Sequence, residues 1–179
     1  TDCLLCHPQG ELVIHEDAGW RCIRAMEPGF PLFYRVIAQG HVREWSEVPD
    51  DQAWRAMRWV RAIEQALLAL PEAVRPHKVN LAQLGNVVPH VHWHVIGRRE
   101  EDSHFPAPIW AAAQRPQPEA LLAAQAAALA ALAELLVRLE QHEVVPAVSY
   151  LIGVIPQGRI GVGWATSAID GTAERPSVT

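Results

Sequence analysis

The chain has 179 residues, 50% of them hydrophobic, so one domain with a full core fits and leaves residues for an appendage. Its formal net charge of −5 excludes a non-specific nucleic-acid binder, which needs a basic face. No apolar run approaches the ~20 residues of a membrane span, and no charged-then-apolar leader is visible. Three cysteines do not suit a disulfide framework, so we expect a cytoplasmic protein.

The segment before residue 86 predicts four strands and one helix. Alternating or β-branched stretches between turn signals predict strands at residues 11–16, 20–25, 32–37 and 78–84. A helix capped by Ser46 or Asp50 ends before Pro71. Its predicted apolar face consists of Trp54, Met57, Val60, Ile63, Leu67 and Leu70. These elements predict an α+β fold, an antiparallel sheet with one crossing helix.

Three histidines occupy every second position of the next apolar segment. In a strand, His90, His92 and His94 point to one face and the apolar residues between them to the other. Such a cluster could bind a metal ion, supply a nucleophilic imidazole with a neighbouring donor, or be structural. The strand contains no Asp or Glu, which weakens the metal interpretation, and three histidines on one face weaken the structural one.

The composition changes after residue 99. A proline-rich loop spans residues 100–118, and Pro118 then begins an Ala/Leu-rich helix predicted to reach about His142. Its leucines form one stripe, which Gln125 interrupts. This helix either packs on the sheet, which we favour, or forms a dimer seam. Residues 143–164 predict one or two extended segments, followed by a polar tail.

The sequence resembles the histidine triad (HIT) family, whose signature His-φ-His-φ-His-φ-φ, with φ apolar, matches residues 90–96. Residues 36–42 are similar to an earlier family strand that ends in a loop with a histidine. Residues 101–110 resemble the segment after the triad in bacterial members related to dinucleoside polyphosphate (Ap4A-type) hydrolases. The resemblance covers roughly residues 3–110 and implies a HIT domain at residues 1–110. We expect residues 111–179 to form an extension that packs on this domain or on a dimer partner.

The resemblance also implies a function, that of a nucleotide hydrolase or transferase acting on a phosphoric anhydride or phosphoramidate bond. His92 would attack the α-phosphate and form a nucleotidyl-histidine that water releases, while His94 would hydrogen-bond the phosphate or the leaving group. The candidate catalytic residues are His90, His92 and His94, and the candidate substrate-binding residues are Phe33, Asn80 and Asn86. This triad chemistry needs no metal. We expect a nucleotide substrate, no nucleic-acid or membrane partner, and a homodimer.

Two positions depart from the family pattern. Relatives often have Gly-Gln-Ser or Gly-Gln-Thr before the triad, whereas this chain has Gly85-Asn86-Val87, and Val87 cannot supply a hydroxyl. Phe33 stands where several relatives place a further histidine. A zinc-stabilised nucleotide-binding module with little turnover therefore stays open as an alternative. A third alternative is a metallohydrolase that uses the triad histidines as metal ligands.

The N-terminal Cys3-Leu4-Leu5-Cys6 is by itself ambiguous between a redox pair, half of a zinc site and neither. The family resemblance implies a structural zinc, because many bacterial HIT proteins and the related galactose-1-phosphate uridylyltransferases bind one. Their ligands are two N-terminal cysteines, a histidine after an early strand and the first triad histidine. The matching positions here are Cys3, Cys6, His41 and His90. Such a closed tetrahedral site would be structural.

The other chemistry-bearing side chains receive simpler interpretations. We predict that Cys22, Trp93 and Trp110 belong to the core, and that Trp20 or Phe33 lines a base pocket. Arg98 and Arg99 are interpreted as a solvated turn rather than as phosphate ligands. His104 is singled out because it follows the triad strand.

Overall fold

A computed structural model describes residues 3–7 and 10–138 of the chain. In this part a sheet has the spatial order β1-β2-β3-β5-β4, and every neighbouring pair is antiparallel. The strands are β1 (Leu12–Glu16), β2 (Trp20–Arg24), β3 (Phe33–Ala38), β4 (Lys78–Gln83) and β5 (His92–Arg98). The predicted α+β fold is confirmed, and the bounds of β1 to β4 differ from the predicted ones by at most one residue.

Helix α1 (Asp50–Leu68) connects β3 to β4 and packs on one face of the sheet. Its buried residues are Ala56, Val60 and Leu67, which join valines of β3, β4 and β5 in the main core. The predicted apolar face was wrong at Trp54, which is 73% exposed. At about 100° per residue, Trp54 lies about 120° around the helix from Val60, outside the buried stripe.

The helix start also differs from the prediction. The N-cap residue is Pro49, which has no side chain to bond the first-turn amides, and Ser46 lies in a short 3-10 helix, Trp45–Glu47. Asp50 is the first helical residue rather than the cap. Asp50 and Asp51 place negative charge at the helix N-terminus, where the helix dipole favours it.

Strand alternation gives the sheet two different faces. Trp93 and Val95 of β5 contact the core beneath α1, so His92 and His94 point to the opposite face. The edge strand β1 is exposed at all five residues, including the apolar Leu12 and Ile14. β1 lies at the edge of the sheet, and α1 makes its main contacts with β3, β4 and β5, although the Trp59 ring of α1 also meets the His15 ring at 4.9 Å.

Helix α2 (Glu119–Arg138) begins directly after Pro118, as predicted. Leu129 packs against the main core, and the Gln125 amide is buried and donates a hydrogen bond to the Val74 carbonyl at 3.3 Å. Gln125 is therefore an anchoring contact rather than an interruption. The predicted end of this helix near His142 and the extended segments at 143–164 lie outside the described residues. Within the described part, no helix has the length and apolarity needed to cross a membrane.

Candidate active site

The imidazoles of His92 and His94 lie side by side on the sheet face opposite α1. Their ring centroids are 4.6 Å apart in an edge-to-face arrangement. The Nδ1–H of His92 donates a hydrogen bond of 2.6 Å to the carbonyl oxygen of His90. Because a neutral imidazole has one N–H, this bond leaves the lone pair of His92 on Nε2, on the other side of the ring. His92 thus has the tautomer that a nucleophilic histidine requires.

Both rings are held in the neutral form. Burial lowers the pKa of His94 to about 3, and the neighbouring charges of His92 and Arg35 act in the same direction. Burial also lowers the pKa of His92; the hydrogen bond to the His90 carbonyl opposes this, and the charges of Arg35 and His90 reinforce it. A neutral imidazole keeps the lone pair that protonation would remove, so His92 is able to attack an electrophile at neutral pH.

His90 lies just before β5 and turns toward the N-terminal cysteines. Its Nε2–H donates to the Ala38 carbonyl at 2.8 Å, which leaves the Nδ1 lone pair facing the Cys3 sulfur at 3.4 Å and the Cys6 sulfur at 3.5 Å. The His41 Nδ1 lies 3.3 Å from the Cys6 sulfur. The potential ligand atoms of these four residues all fall within 4.8 Å of one another.

This donor set fits a tetrahedral zinc ion. Zn–S bonds of about 2.3 Å and Zn–N bonds of about 2.05 Å place neighbouring S and N ligands about 3.5 Å apart in a tetrahedron. The S–N distances of 3.3 to 3.5 Å match that spacing. The bond from His90 to Ala38 is the kind of outer contact that orients a metal-binding imidazole. The four residues predicted as zinc ligands are therefore brought together.

Aromatic rings surround His94. The Phe33 ring, fully buried, lies 5.4 Å from the His94 ring, and the Trp110 ring lies 5.1 Å away. The prediction that Trp110 is a core residue was wrong, because it is 51% exposed and borders the site. Trp20 is buried under α1 on the other face and cannot line this site. Trp93 is half-buried beneath α1, and Cys22 is a buried core residue as predicted.

A buried ion pair holds the loop that follows the triad strand. Arg98 donates to both carboxylate oxygens of Asp102, at 2.6 and 2.9 Å, and to the Asn80 side-chain oxygen at 2.8 Å. Burial acts to raise the pKa of Asp102, but Arg98 and the backbone N–H groups of His104 and Phe105 bring its pKa below the usual value. The interpretation of Arg98 as part of a solvated turn was wrong, since it is 1% exposed. Asn80 thus contacts Arg98.

The turn between β4 and β5 presents its side chains to solvent. Gly85 has a φ of +126°, a conformation that favours glycine, and Asn86 and Val87 are exposed. No hydrogen bond joins the Asn86 side chain to a triad histidine among the described residues. The His104 ring contacts Phe30, with ring centroids 5.5 Å apart.

Two residues of this site were missed by the sequence analysis. Asp102 completes the ion pair with Arg98, and Arg35 lies in β3 directly opposite His94 in the sheet register. Arg35 could have been found, because it has the same strand parity as Phe33 and Ile37 and is the charged member of an otherwise apolar face. No sequence pattern indicated the role of Asp102, because it lies in a loop and its pairing with Arg98 depends on the conformation of that loop.

Comparison with known families identifies the domain. The family model described as the HIT domain matches residues 9–101 of this chain. The chain belongs to the HIT domain family. The resemblance to the HIT family is thereby confirmed, and the matched region contains the triad strand, β1 to β4 and α1.

Solved structures share the fold of this HIT domain. A histidine triad protein of Bradyrhizobium japonicum is 21% identical with a TM-score of 0.51, and the match covers 66% of this chain and 87% of that one. A histidine triad protein of Sinorhizobium meliloti is 25% identical with a TM-score of 0.50, over 66% and 86% of the two chains. A HIT family protein of Bacillus anthracis is 21% identical with a TM-score of 0.52, over 72% and 95%.

One curated relative matches only a short segment. A protein of Rhodococcus opacus described as a probable DNA ligase is 58% identical over 40 residues, which make up 22% of this chain. This chain accordingly spans 8% of the length of that relative.

Proposed function

We propose that this HIT protein hydrolyses or transfers at a nucleoside α-phosphate through a covalent nucleotidyl-histidine on His92. The observation that carries the proposal is the hydrogen bond from His92 Nδ1 to the His90 carbonyl, which leaves Nε2 as a free nucleophile. Membership of a family of nucleotide hydrolases and transferases supplies the substrate class. The bond broken would be a phosphoric anhydride or a phosphoramidate.

The reaction has two steps. The Nε2 lone pair forms a bond to the α-phosphorus while the bond to the leaving group breaks, and the leaving group takes that electron pair. A water then attacks the same phosphorus, the P–N bond breaks, the electron pair returns to His92 Nε2, and the proton lost by the water passes to solvent. His94, 4.6 Å from His92 between ring centroids, would donate a hydrogen bond to a phosphate or leaving-group oxygen. Splitting one displacement into two is the benefit of covalent catalysis.

A structural zinc on Cys3, Cys6, His41 and His90 is part of the proposal. The ion would tie the N-terminal segment to the start of the triad strand and fix the His90 backbone, whose carbonyl accepts the His92 N–H. The chemistry at His92 would then need no metal. We further propose a cytoplasmic homodimer, in which residues 111–179 form an extension that packs on the domain or on the second subunit.

The loop after the triad supports a substrate resembling that of the bacterial dinucleoside polyphosphate hydrolases. Residues 101–110, which carry that resemblance, bring Trp110 to the edge of His94. A half-exposed indole at this place offers a stacking surface for an aromatic base. We therefore propose Ap4A-type substrates as the first to be tested.

The test is intact-protein mass spectrometry after brief mixing with diadenosine tetraphosphate or adenosine phosphoramidate, quenched at alkaline pH. We expect an adenylyl adduct on the wild-type protein and none on His92→Ala. His15→Ala is the matched control, because His15 is an exposed histidine of β1 that contacts Trp59 of α1. This variant should form the adduct at the wild-type level.

Absence of an adduct and of product with several nucleotides would contradict the proposal and favour the nucleotide-binding module. One observation favours that alternative: Val87 is 95% exposed at the turn where relatives offer a hydroxyl. The metallohydrolase has less support. Among the described residues, no cluster of potential metal ligands contains His92 or His94.

A further inference from the structure

Arg35 brings a positive charge onto the sheet face that carries His92 and His94. It lies at the centre of β3 and is paired directly across from His94 of β5. Side chains of directly opposed residues leave the sheet on the same face, with Cβ atoms about 5 Å apart. The Arg35 guanidinium carbon lies 5.0 Å from the centroid of Phe33, whose ring in turn contacts His94. Arg35 is thus a direct neighbour of the proposed reaction site.

No hydrogen-bond acceptor serves this guanidinium among the described residues. The Arg35 Nε is buried without a partner, while the side chain as a whole is half-buried. The acidic residues whose charges act on it are Glu27 and Glu11. Glu27 is exposed, and Glu11 forms an ion pair of 3.1 Å with Arg21. A partly buried cation without an acceptor is costly, so its presence calls for an explanation.

The other arginines on the same face have acceptors within the protein, although the Nε of Arg21, like that of Arg35, is buried without a partner. Arg21 donates to the Leu5 carbonyl in addition to its pairing with Glu11. Arg98 has Asp102, Asn80 and the Ala107 carbonyl as acceptors. Arg35 therefore differs from these arginines in that none of its guanidinium nitrogens has an acceptor among the described residues, which leaves its donors for a ligand. Its planar fork of N–H groups matches the oxygens of a phosphate.

The site also needs a cation from somewhere other than its histidines. The His92 tautomer, with Nδ1–H donated to the His90 carbonyl and the lone pair on Nε2, permits nucleophilic attack but supplies no positive charge to balance a phosphate. Arg35 stays protonated at neutral pH and can supply that charge without removing the His92 lone pair. The two requirements of the reaction, a neutral nucleophile and an electropositive phosphate site, would then be met by different residues.

We propose that Arg35 binds the phosphate oxygens of the anionic substrate held at His92 and His94. The inference deepens the proposed function, on which it rests for the location of the phosphate. Arg35 would donate charge-assisted hydrogen bonds to non-bridging oxygens. Substrates would then be retained for their phosphate charge as well as for their nucleoside.

The experiment is calorimetric titration of inorganic pyrophosphate, a probe that needs no knowledge of the base. We expect Arg35→Leu to weaken pyrophosphate binding on the order of tenfold or more, as expected for loss of a charged hydrogen bond. Arg35→Lys should fall between wild type and Arg35→Leu, because lysine keeps the charge but not the fork. Arg58→Leu, which removes an exposed arginine of α1, is the matched control and should bind as the wild type does.

Thermal unfolding separates binding from a structural role. Arg35→Leu should unfold at a temperature no lower than the wild type, because it removes an unpaired and partly buried cation. A marked loss of stability would identify Arg35 as a structural residue and overturn the inference. Equal pyrophosphate affinity in wild type and Arg35→Leu, or no binding by the wild type, would overturn it as well.

The phosphate site at Arg35 and the covalent reaction at His92 can be contradicted separately. Arg35-dependent pyrophosphate binding without an adenylyl adduct would contradict the covalent reaction and keep the phosphate site. An adduct on His92 with pyrophosphate affinity unchanged in Arg35→Leu would contradict the phosphate site and keep the reaction.

Discussion

At the residue scale, the distinct tasks of the triad histidines follow from the partners of each ring nitrogen. His90 faces two sulfur atoms through Nδ1 and a carbonyl through Nε2, so it fits a metal ligand. His92 uses Nδ1 to bond the backbone and keeps Nε2 for chemistry. The Nδ1 of His94 is buried without a hydrogen-bond partner among the described residues, and its ring is positioned by contacts with other rings.

The buried neutral state of His94 predicts a pH dependence of stability. In the unfolded chain this imidazole takes up a proton near pH 6.5, whereas its folded pKa is about 3. Unfolding between these values therefore binds a proton, and the free energy of unfolding falls as the pH is lowered from about 6.5. The slope from one such histidine is up to about 1.4 kcal/mol per pH unit.

The measurement is denaturant unfolding at several pH values between 4 and 7, for wild type and for His94→Gln. We expect the wild type to lose stability more steeply than His94→Gln as the pH falls. His15→Gln, at an exposed position, should keep the wild-type slope. His94→Gln and His15→Gln both keep the four potential zinc ligands, so loss of metal at low pH would affect the stability of the wild type and of both variants alike. Equal slopes for wild type and His94→Gln would contradict the prediction.

At the scale of elements, the triad strand β5 is flanked by two irregular segments whose positions depend on side-chain contacts as well as on strand pairing. Before β5, residues 84–91 present His90 to the cysteines of the N-terminal segment. After β5, the Arg98–Asp102 pair folds the loop back so that Trp110 meets His94. The same carboxylate also accepts the backbone N–H groups of His104 and Phe105.

Loss of the Asp102 charge should therefore destabilise the protein strongly. Asp102→Asn would leave Arg98, 1% exposed, as an uncompensated buried cation, and we expect a cost of about 3 kcal/mol or more. Glu101→Gln is the matched control, because Glu101 pairs with Arg99 at 3.3 Å and its side chain is 51% exposed. That change should cost less than about 1 kcal/mol.

Denaturant unfolding of the two variants at neutral pH is the measurement. The prediction requires that Asp102→Asn lower the free energy of unfolding clearly more than Glu101→Gln does, although both residues pair with an arginine. If Asp102→Asn and Glu101→Gln lose similar stability, the buried pair does not hold the loop in the way inferred.

At the scale of the whole molecule, distant segments converge on a single corner of the sheet. Cys3 and Cys6 come from the N-terminal segment, His41 from the loop after β3, and His90 from the approach to β5. At the other end of the domain, α2 joins the main core through Leu129. The proposed zinc would thus link three parts of the chain that are separated by up to 87 residues.

Removal of this metal should destabilise the domain. We expect a chelator, and separately Cys3→Ser, to lower the melting temperature by about 5 °C or more, given that 1 kcal/mol corresponds to about 2–4 °C at this size. The chelator should have no further effect on Cys3→Ser. Cys22→Ala is the control, because Cys22 is a buried thiol outside the cluster, and this variant should keep its response to the chelator.

Elemental analysis of chelator-free protein completes that experiment. About one zinc per chain is expected, as one closed tetrahedral site holds one ion. A protein that contains no metal, with a melting temperature unchanged by Cys3→Ser, would contradict the structural zinc.

The sequence by itself determined the strands, the crossing helix and the triad face, because side-chain periodicity in regular elements is a local property. It also gave the four potential zinc ligands, through the family resemblance of residues 3–110. It misplaced Trp54, Trp110 and Arg98, whose burial or exposure is set by what packs against them. Trp110 and Arg98 depend on a loop that closes through a buried ion pair.

Only the tertiary structure decided which nitrogen of His92 is free and which neighbours His94 has. The hydrogen bond from His92 to the His90 carbonyl depends on backbone geometry just before β5, which no side-chain pattern encodes. The position of Arg35 opposite His94, 59 residues further along the chain, depends on the register between β3 and β5. Contacts between segments so far apart in the chain are fixed by the packed sheet, and not by local sequence.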